Sequence, residues 1–122
     1  MEDARILVAA GRFGGAYHSG GVALECMLKA KIAKSIQAEE FPDRKLAQEA
    51  WLHDPTKLLK LADLERFMDA ATPEIQTNWT TVKDWTIDSR YNLHVSPRTV
   101  TAFLGALDDL TDGILPWLRS HC

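Results

Sequence analysis

Apolar residues recur along most of this chain at spacings of three, four and seven, which is the repeat of an α-helix with one buried face. The pattern is clearest over residues 14–36, where Leu24 and Leu28 lie on one stripe and few polar residues intervene. It predicts a long, largely buried helix at the centre of a bundle. Gly20 and Gly21 disfavour helix in this segment, so we expect a neighbouring backbone to approach closely there.

Proline residues that follow a capping residue mark three more helix starts, at Asp54-Pro55, Thr72-Pro73 and Ser96-Pro97. A short helix is expected over Ala4–Ala10, ending near Gly11. After Ser96-Pro97 the apolar positions alternate steps of three and four: Val100, Phe103, Leu107, Leu110, Ile114 and Trp117. They predict one long amphipathic helix that is kinked or ended late by Pro116. No stretch alternates convincingly with period two, so the prediction is an all-α, mostly antiparallel bundle of four to five helices.

Length and composition describe a single domain over residues 1–122 with an ordinary balance of apolar and charged residues. The longest apolar run is well short of the roughly 20 residues that a membrane span needs. The N-terminal sequence MEDARILVAAGR has acids where a signal peptide has basic residues. We therefore expect a cytoplasmic protein without membrane contact. The net charge of −3 disfavours a protein that coats nucleic acid through general positive charge, although a local basic site remains compatible with it.

The sequence carries no motif for a metal ion or a cofactor. Cys26 and Cys122 do not form a disulfide framework, and Cys26 is interpreted as a buried thiol in the long helix. The glycines of residues 11–15 lack the lysine and the preceding strand of a phosphate-binding loop. His53-Asp54 is similar to part of a metal phosphohydrolase motif, but no second His and Asp cluster occurs. His53 is interpreted as a helix-entry residue beside the Asp54 cap.

Three segments and a closing helix together resemble the HEPN domain family. They are YHSGGVALECMLKAKI (residues 17–32), HDPTKLLKLADL (53–64) and DWTIDSRY (84–91). The most specific element is a small residue, a glutamate and a lysine, here Ala23, Glu25 and Lys29. The resemblance covers nearly the whole chain through the order and spacing of its motifs. It implies a helical bundle that forms homodimers, often pairs with a minimal nucleotidyltransferase in toxin–antitoxin operons, and in many members cleaves RNA without metal.

The resemblance implies a candidate catalytic pair, Arg90 and His94. Active family members carry an arginine, four to six further residues and a histidine near the last core helix, whereas only three residues separate this pair. Histidine suits general acid or base catalysis, and arginine suits a phosphate that gains charge. Glu25 would orient the arginine. In the alternative interpretation, Arg90 and Tyr91 anchor the approach to the last helix and His94 is a loop residue.

Glu25 and Lys29 share a helical face with His18, so they form either a structural pair or the lining of a site, with the structural interpretation favoured. Lys29, His18 and Tyr91 are candidate binding residues. Two functions remain open. In the first, the protein is a non-catalytic or weakly active module that binds RNA, a nucleotide or a partner protein, as the short spacing favours. In the second, it is a metal-independent endoribonuclease acting through Arg90 and His94, as the retention of both residue types favours.

Overall fold

The computed structural model describes residues 1–38, 53–86 and 95–121, and these ranges contain seven α-helices and no β-strand. The helices are α1 (Glu2–Ala9), α2 (Phe13–Ala38), α3 (Pro55–Leu61), α4 (Glu65–Asp69), α5 (Pro73–Val82), α6 (Pro97–Asp108) and α7 (Ile114–Ser120). The all-α class predicted from the sequence is therefore confirmed for the described part of the chain. Within these ranges, no helix is both long and apolar enough to cross a membrane.

All three helix starts predicted from a capping residue and a proline are confirmed. At each start the proline lies in the first turn, and the preceding side chain accepts a hydrogen bond from a backbone N–H of that turn. The donors and acceptors are Thr56 to Asp54, Ile75 to Thr72 and Thr99 to Ser96. The predicted stop after the first helix is also present, because Gly11 adopts a φ of 74°.

Helix α2 lies at the centre of the described structure and packs against α1, α3, α6 and α7. Its predicted stripe is buried, since Leu24 and Leu28 are fully inaccessible to solvent and Ile32 is 1% exposed. At its N-terminal end the ring of Tyr17 packs on that of Phe103 of α6, with ring centroids 4.6 Å apart. The sequence pattern thus predicts the helix on which the other elements assemble.

The glycines of α2 accommodate large side chains rather than another backbone, which corrects the sequence expectation. A Cβ atom on Gly21 would lie 1.7 Å from the indole of Trp85, and one on Gly20 would lie 2.7 Å from Leu104. The Trp85 side chain is 1% exposed, and its Nε1 donates a hydrogen bond of 3.2 Å to the carbonyl oxygen of Tyr17. The indole therefore lies directly on the backbone of α2.

The prediction of one long C-terminal helix is wrong. Helix α6 ends at Asp108, and residues 109–113 form a loop before α7. The Asp109 carboxylate accepts hydrogen bonds from the backbone N–H groups of Thr111 and Asp112, both at 2.9 Å, and these bonds stabilise the loop against a helical continuation. Leu110, which fits the apolar repeat, is 95% exposed as a result.

Two further expectations in this part of the structure are corrected. Pro116 neither kinks nor ends a helix, because it lies in the first turn of α7, where backbone N–H groups have no partner within the helix. Cys26 is exposed rather than buried. It lies two residues from Leu24 and Leu28, and a step of two residues turns a side chain to the opposite side of a helix.

We predict that Gly21→Ala lowers the free energy of unfolding, by roughly 1–3 kcal/mol or more, because its methyl group overlaps the Trp85 indole. Gly105→Ala is the matched control, since no atom outside α6 lies within 4 Å of its Cβ position and the residue is exposed. This control should raise stability by roughly 0.5–1 kcal/mol through helix propensity. Urea unfolding followed by circular dichroism measures both changes. Equal effects of the two substitutions would contradict this packing.

Candidate functional site

Helix α2 carries one buried charged side chain, that of Glu25, in its otherwise apolar middle. Glu25 is 6% exposed. Its Oε1 accepts a hydrogen bond of 2.6 Å from Nζ of Lys29 and lies 2.5 Å from Nδ1 of His53. The other carboxylate oxygen, Oε2, is buried and has no hydrogen-bond partner in the described residues. Glu25, Lys29 and His53 form a polar cluster that we call the Glu25 triad.

The Glu25 carboxylate is held in its charged form by its two neighbours. Burial raises the pKa of Glu25, but hydrogen bonds from Lys29 and His53, together with their charges, outweigh burial and bring the pKa below its ordinary value of 4.5. Glu25 is therefore ionised at neutral pH. An ionised carboxylate only accepts hydrogen bonds, so the proton in the contact with His53 lies on Nδ1 of the imidazole.

Local sequence explains how each member of the Glu25 triad is positioned. Glu25 and Lys29 are four residues apart on α2 and hence neighbours on its surface. His53 immediately precedes Asp54, whose cap fixes the direction in which the chain enters α3. Helix α3 in turn packs on α2 and buries Leu58 and Leu59. The contact between His53 and Glu25 thus follows from the docking of α3.

A pocket of about 370 Å³ lies beside the Glu25 triad, and we call it the His53 pocket. One wall comes from the start of α3 and the other from the segment that follows α5. Its lining consists of His53, Asp54, Thr56, Lys83, Asp84, Trp85 and Thr86. Because Trp85 is fixed on α2, its neighbours Asp84 and Lys83 are held opposite the start of α3. The Asp84 charge also acts on Tyr17, whose pKa is raised by burial and by this carboxylate.

The structure brings together some of the residues predicted from the sequence. Glu25 and Lys29 are paired as expected, and the ring of His18 lies 6.0 Å from the indole of Trp85. The candidate catalytic residues Arg90 and His94, together with Tyr91, lie outside the described residues.

Sequence reasoning missed His53 as a site residue. The helix cap predicted beside it is present, but the imidazole also contacts Glu25, which lies 28 positions earlier in the sequence. The available signal was Glu25 itself. A carboxylate in an apolar helix needs more hydrogen-bond donors than one lysine supplies, and a histidine next to a predicted helix start is a suitable donor.

Comparisons of this chain with protein-family models, with curated proteins and with solved structures find no match. The Glu25 triad and the His53 pocket are therefore the features of this chain that bear on its function.

We predict that the Glu25 triad makes the free energy of unfolding depend on pH in the acidic range. Since the pKa of Glu25 in the folded protein lies below 4.5, the folded state binds fewer protons than the unfolded state in this range. The stabilisation that Glu25 contributes is complete at pH values above 4.5, its ordinary pKa. It is lost as the pH falls through the pKa of Glu25 in the folded protein. The stability difference between wild type and Glu25→Gln should thus shrink from about pH 6 to about pH 3.

Urea unfolding at a series of pH values measures this difference. Glu74→Gln, which removes an exposed carboxylate of α5, is the control and should retain the acid dependence of the wild type. A difference for Glu25→Gln that is constant or grows toward low pH would show that the carboxylate is not held in its charged form.

Proposed function

We propose that this chain is a HEPN-like helical module that binds RNA or a nucleotide in the His53 pocket. The observation that carries the proposal is the convergence of the three segments on which the family resemblance rests. The first supplies Glu25 and Lys29, and the second supplies His53. The first residues of the third segment, Asp84, Trp85 and Thr86, line the pocket opposite His53. Motifs that are far apart in the sequence therefore surround one site.

The charge of the chain favours recognition at one local site. A net charge of −3 gives little general attraction to a polyanion. Within the His53 pocket, Lys83 supplies an ammonium group for a phosphate, while Lys29 is already paired with Glu25. Binding through so few cations should depend only weakly on salt, in contrast to binding by a basic surface.

The state of Glu25 supports a binding role over a catalytic role for this residue. A carboxylate with a lowered pKa remains ionised near neutral pH, where a general acid must give up a proton. Its Oε1 is also engaged by Lys29 and His53. Glu25 therefore acts as an electrostatic anchor for these two side chains, and catalysis would depend on Arg90 and His94.

Homodimerisation and a nucleotidyltransferase-type partner belong to the same proposal, as does a cytoplasmic place in a toxin–antitoxin or defence system. They follow from the family resemblance alone. Light scattering of the purified protein tests the dimer, for which a monomeric mass at all concentrations would count against it. Co-expression with a neighbouring nucleotidyltransferase gene product, followed by co-purification, tests the partner.

We predict saturable binding of a fluorescein-labelled single-stranded RNA to the protein, measured by fluorescence anisotropy in EDTA. Lys83→Ala should weaken binding roughly 3–10-fold and reduce the slope of log K against log salt by about 1, because one phosphate contact is lost. Lys60→Ala removes an exposed lysine of α3 that does not line the His53 pocket, and it should bind as the wild type does. Equal weakening by the two substitutions would place binding elsewhere.

Gel analysis of the same RNA in EDTA separates a binding module from a metal-independent endoribonuclease. We expect intact RNA after prolonged incubation with wild type, because three residues between Arg90 and His94 depart from the spacing of active family members. Cleavage that disappears in both Arg90→Ala and His94→Ala would instead establish the nuclease. Cleavage that is equal in all three proteins would indicate a contaminating enzyme.

A further inference from the structure

The contact with Glu25 determines the tautomer of the neutral His53 ring, and this has a consequence for any ligand of the His53 pocket. Nδ1 donates to the ionised carboxylate, so in the neutral imidazole Nε2 carries a lone pair and no proton. Glu25 is itself fixed by Lys29 at 2.6 Å, which limits rotation of the ring. The His53 side chain is 47% exposed. In its neutral form, His53 therefore offers the pocket a hydrogen-bond acceptor of fixed direction.

Two other side chains of the lining, Asp54 and Asp84, act only as acceptors. Asp54 and Asp84 contribute carboxylates, of which Asp54 uses one oxygen to cap α3. The indole N–H of Trp85 is unavailable as a donor because it is bonded to the Tyr17 carbonyl. Lys83 is the cation of the described lining, and the two threonine hydroxyls can donate or accept. The acceptors of the lining thus favour a ligand that brings hydrogen-bond donors.

This balance excludes a bare phosphate as the best ligand and favours sugar hydroxyls. Phosphate oxygens only accept hydrogen bonds and would be repelled by the carboxylates of Asp54 and Asp84. The hydroxyls of a ribose each donate one hydrogen bond, and acidic side chains commonly bind them in nucleotide sites. A volume of about 370 Å³ lies at the small end of the range for ligand sites and suits a single nucleotide unit.

We infer that the His53 pocket recognises the ribose of an RNA nucleotide, with Nε2 of His53 and the carboxylate of Asp84 accepting hydrogen bonds from its hydroxyl groups. Lys83 then contacts the adjoining phosphate. This inference rests on the proposed RNA-binding function and makes His53 a specificity-determining residue, because DNA lacks the 2′-hydroxyl. Glu25 is a positioning residue, since it acts on the ligand only by holding the imidazole.

Binding of three matched oligonucleotides tests the inference. The probes are a fluorescein-labelled oligoadenylate RNA, the DNA of the same sequence, and the same RNA with each 2′-hydroxyl methylated, which removes the donor and keeps the oxygen. Wild type should bind the RNA roughly tenfold more tightly than either analogue, the factor expected for one or two hydrogen bonds. His53→Ala should bind all three within about twofold of one another, whereas the control His121→Ala should retain the preference.

Two results would overturn the inference while leaving RNA binding established. They are equal affinities of wild type for the three probes, and an unchanged preference for RNA in His53→Ala. Failure of all three probes to bind would overturn the proposed function and the inference together. Competition by free AMP, compared with deoxy-AMP, distinguishes a mononucleotide site from one that needs a longer RNA strand.

A direct measurement of the imidazole does not depend on any variant folding correctly. The ¹⁵N chemical shifts of the His53 ring in wild-type protein distinguish a protonated Nδ1 from a protonated Nε2. We expect the proton on Nδ1 at a pH where the ring is neutral. A neutral ring with its proton on Nε2 would remove the acceptor and contradict the inference.

Discussion

The His53 pocket depends on one contact, the packing of Trp85 on helix α2. The indole occupies the space left by the missing side chain of Gly21, and its N–H donates a hydrogen bond to the Tyr17 carbonyl. A buried tryptophan with a paired N–H combines a large apolar contact with a fixed orientation. The segment that follows α5 is consequently held against α2, and Asp84 faces the start of α3 across the pocket. A bulkier residue at position 21 would displace the indole and with it one wall of the site.

The charge of Glu25 links helix α2 to the other wall of the pocket, which comes from the start of α3. Placing a carboxylate in an apolar environment is costly unless donors and positive charge compensate it. Lys29 supplies charge from one helical turn away, and His53 supplies a donor from α3. Because the lysine is local, the carboxylate is already partly compensated within α2 before α3 docks. The histidine adds a second donor to Oε1 and in doing so acquires a defined tautomer, so one residue both supports the fold and determines the chemistry of the pocket.

Local signals in the sequence were sufficient for the helical class, the three capped helix starts and the Glu25–Lys29 pair, since each depends on residues within one turn of one another. The break between α6 and α7 was not predicted, because Leu110 continues the apolar repeat while Asp109 ends the helix through its hydrogen bonds to the loop. The apolar repeat reflects only the spacing of residues. It does not reveal a side chain that binds backbone N–H groups in place of a helical carbonyl. The contact of His53 was missed for another reason: it joins distant segments whose docking no local pattern encodes.

The Glu25 triad also restricts how α2 can be placed among its neighbours. The leucine stripe of α2 alone would tolerate a shift by one turn, because one leucine replaces another. Such a shift moves each side chain by about 5.4 Å along the axis. It would separate the carboxylate from His53 and leave a buried charge with a single donor, which is unfavourable. Apolar burial holds α2 in the bundle, whereas the contact of Glu25 with His53 and the packing of Trp85 on Gly21 select its register.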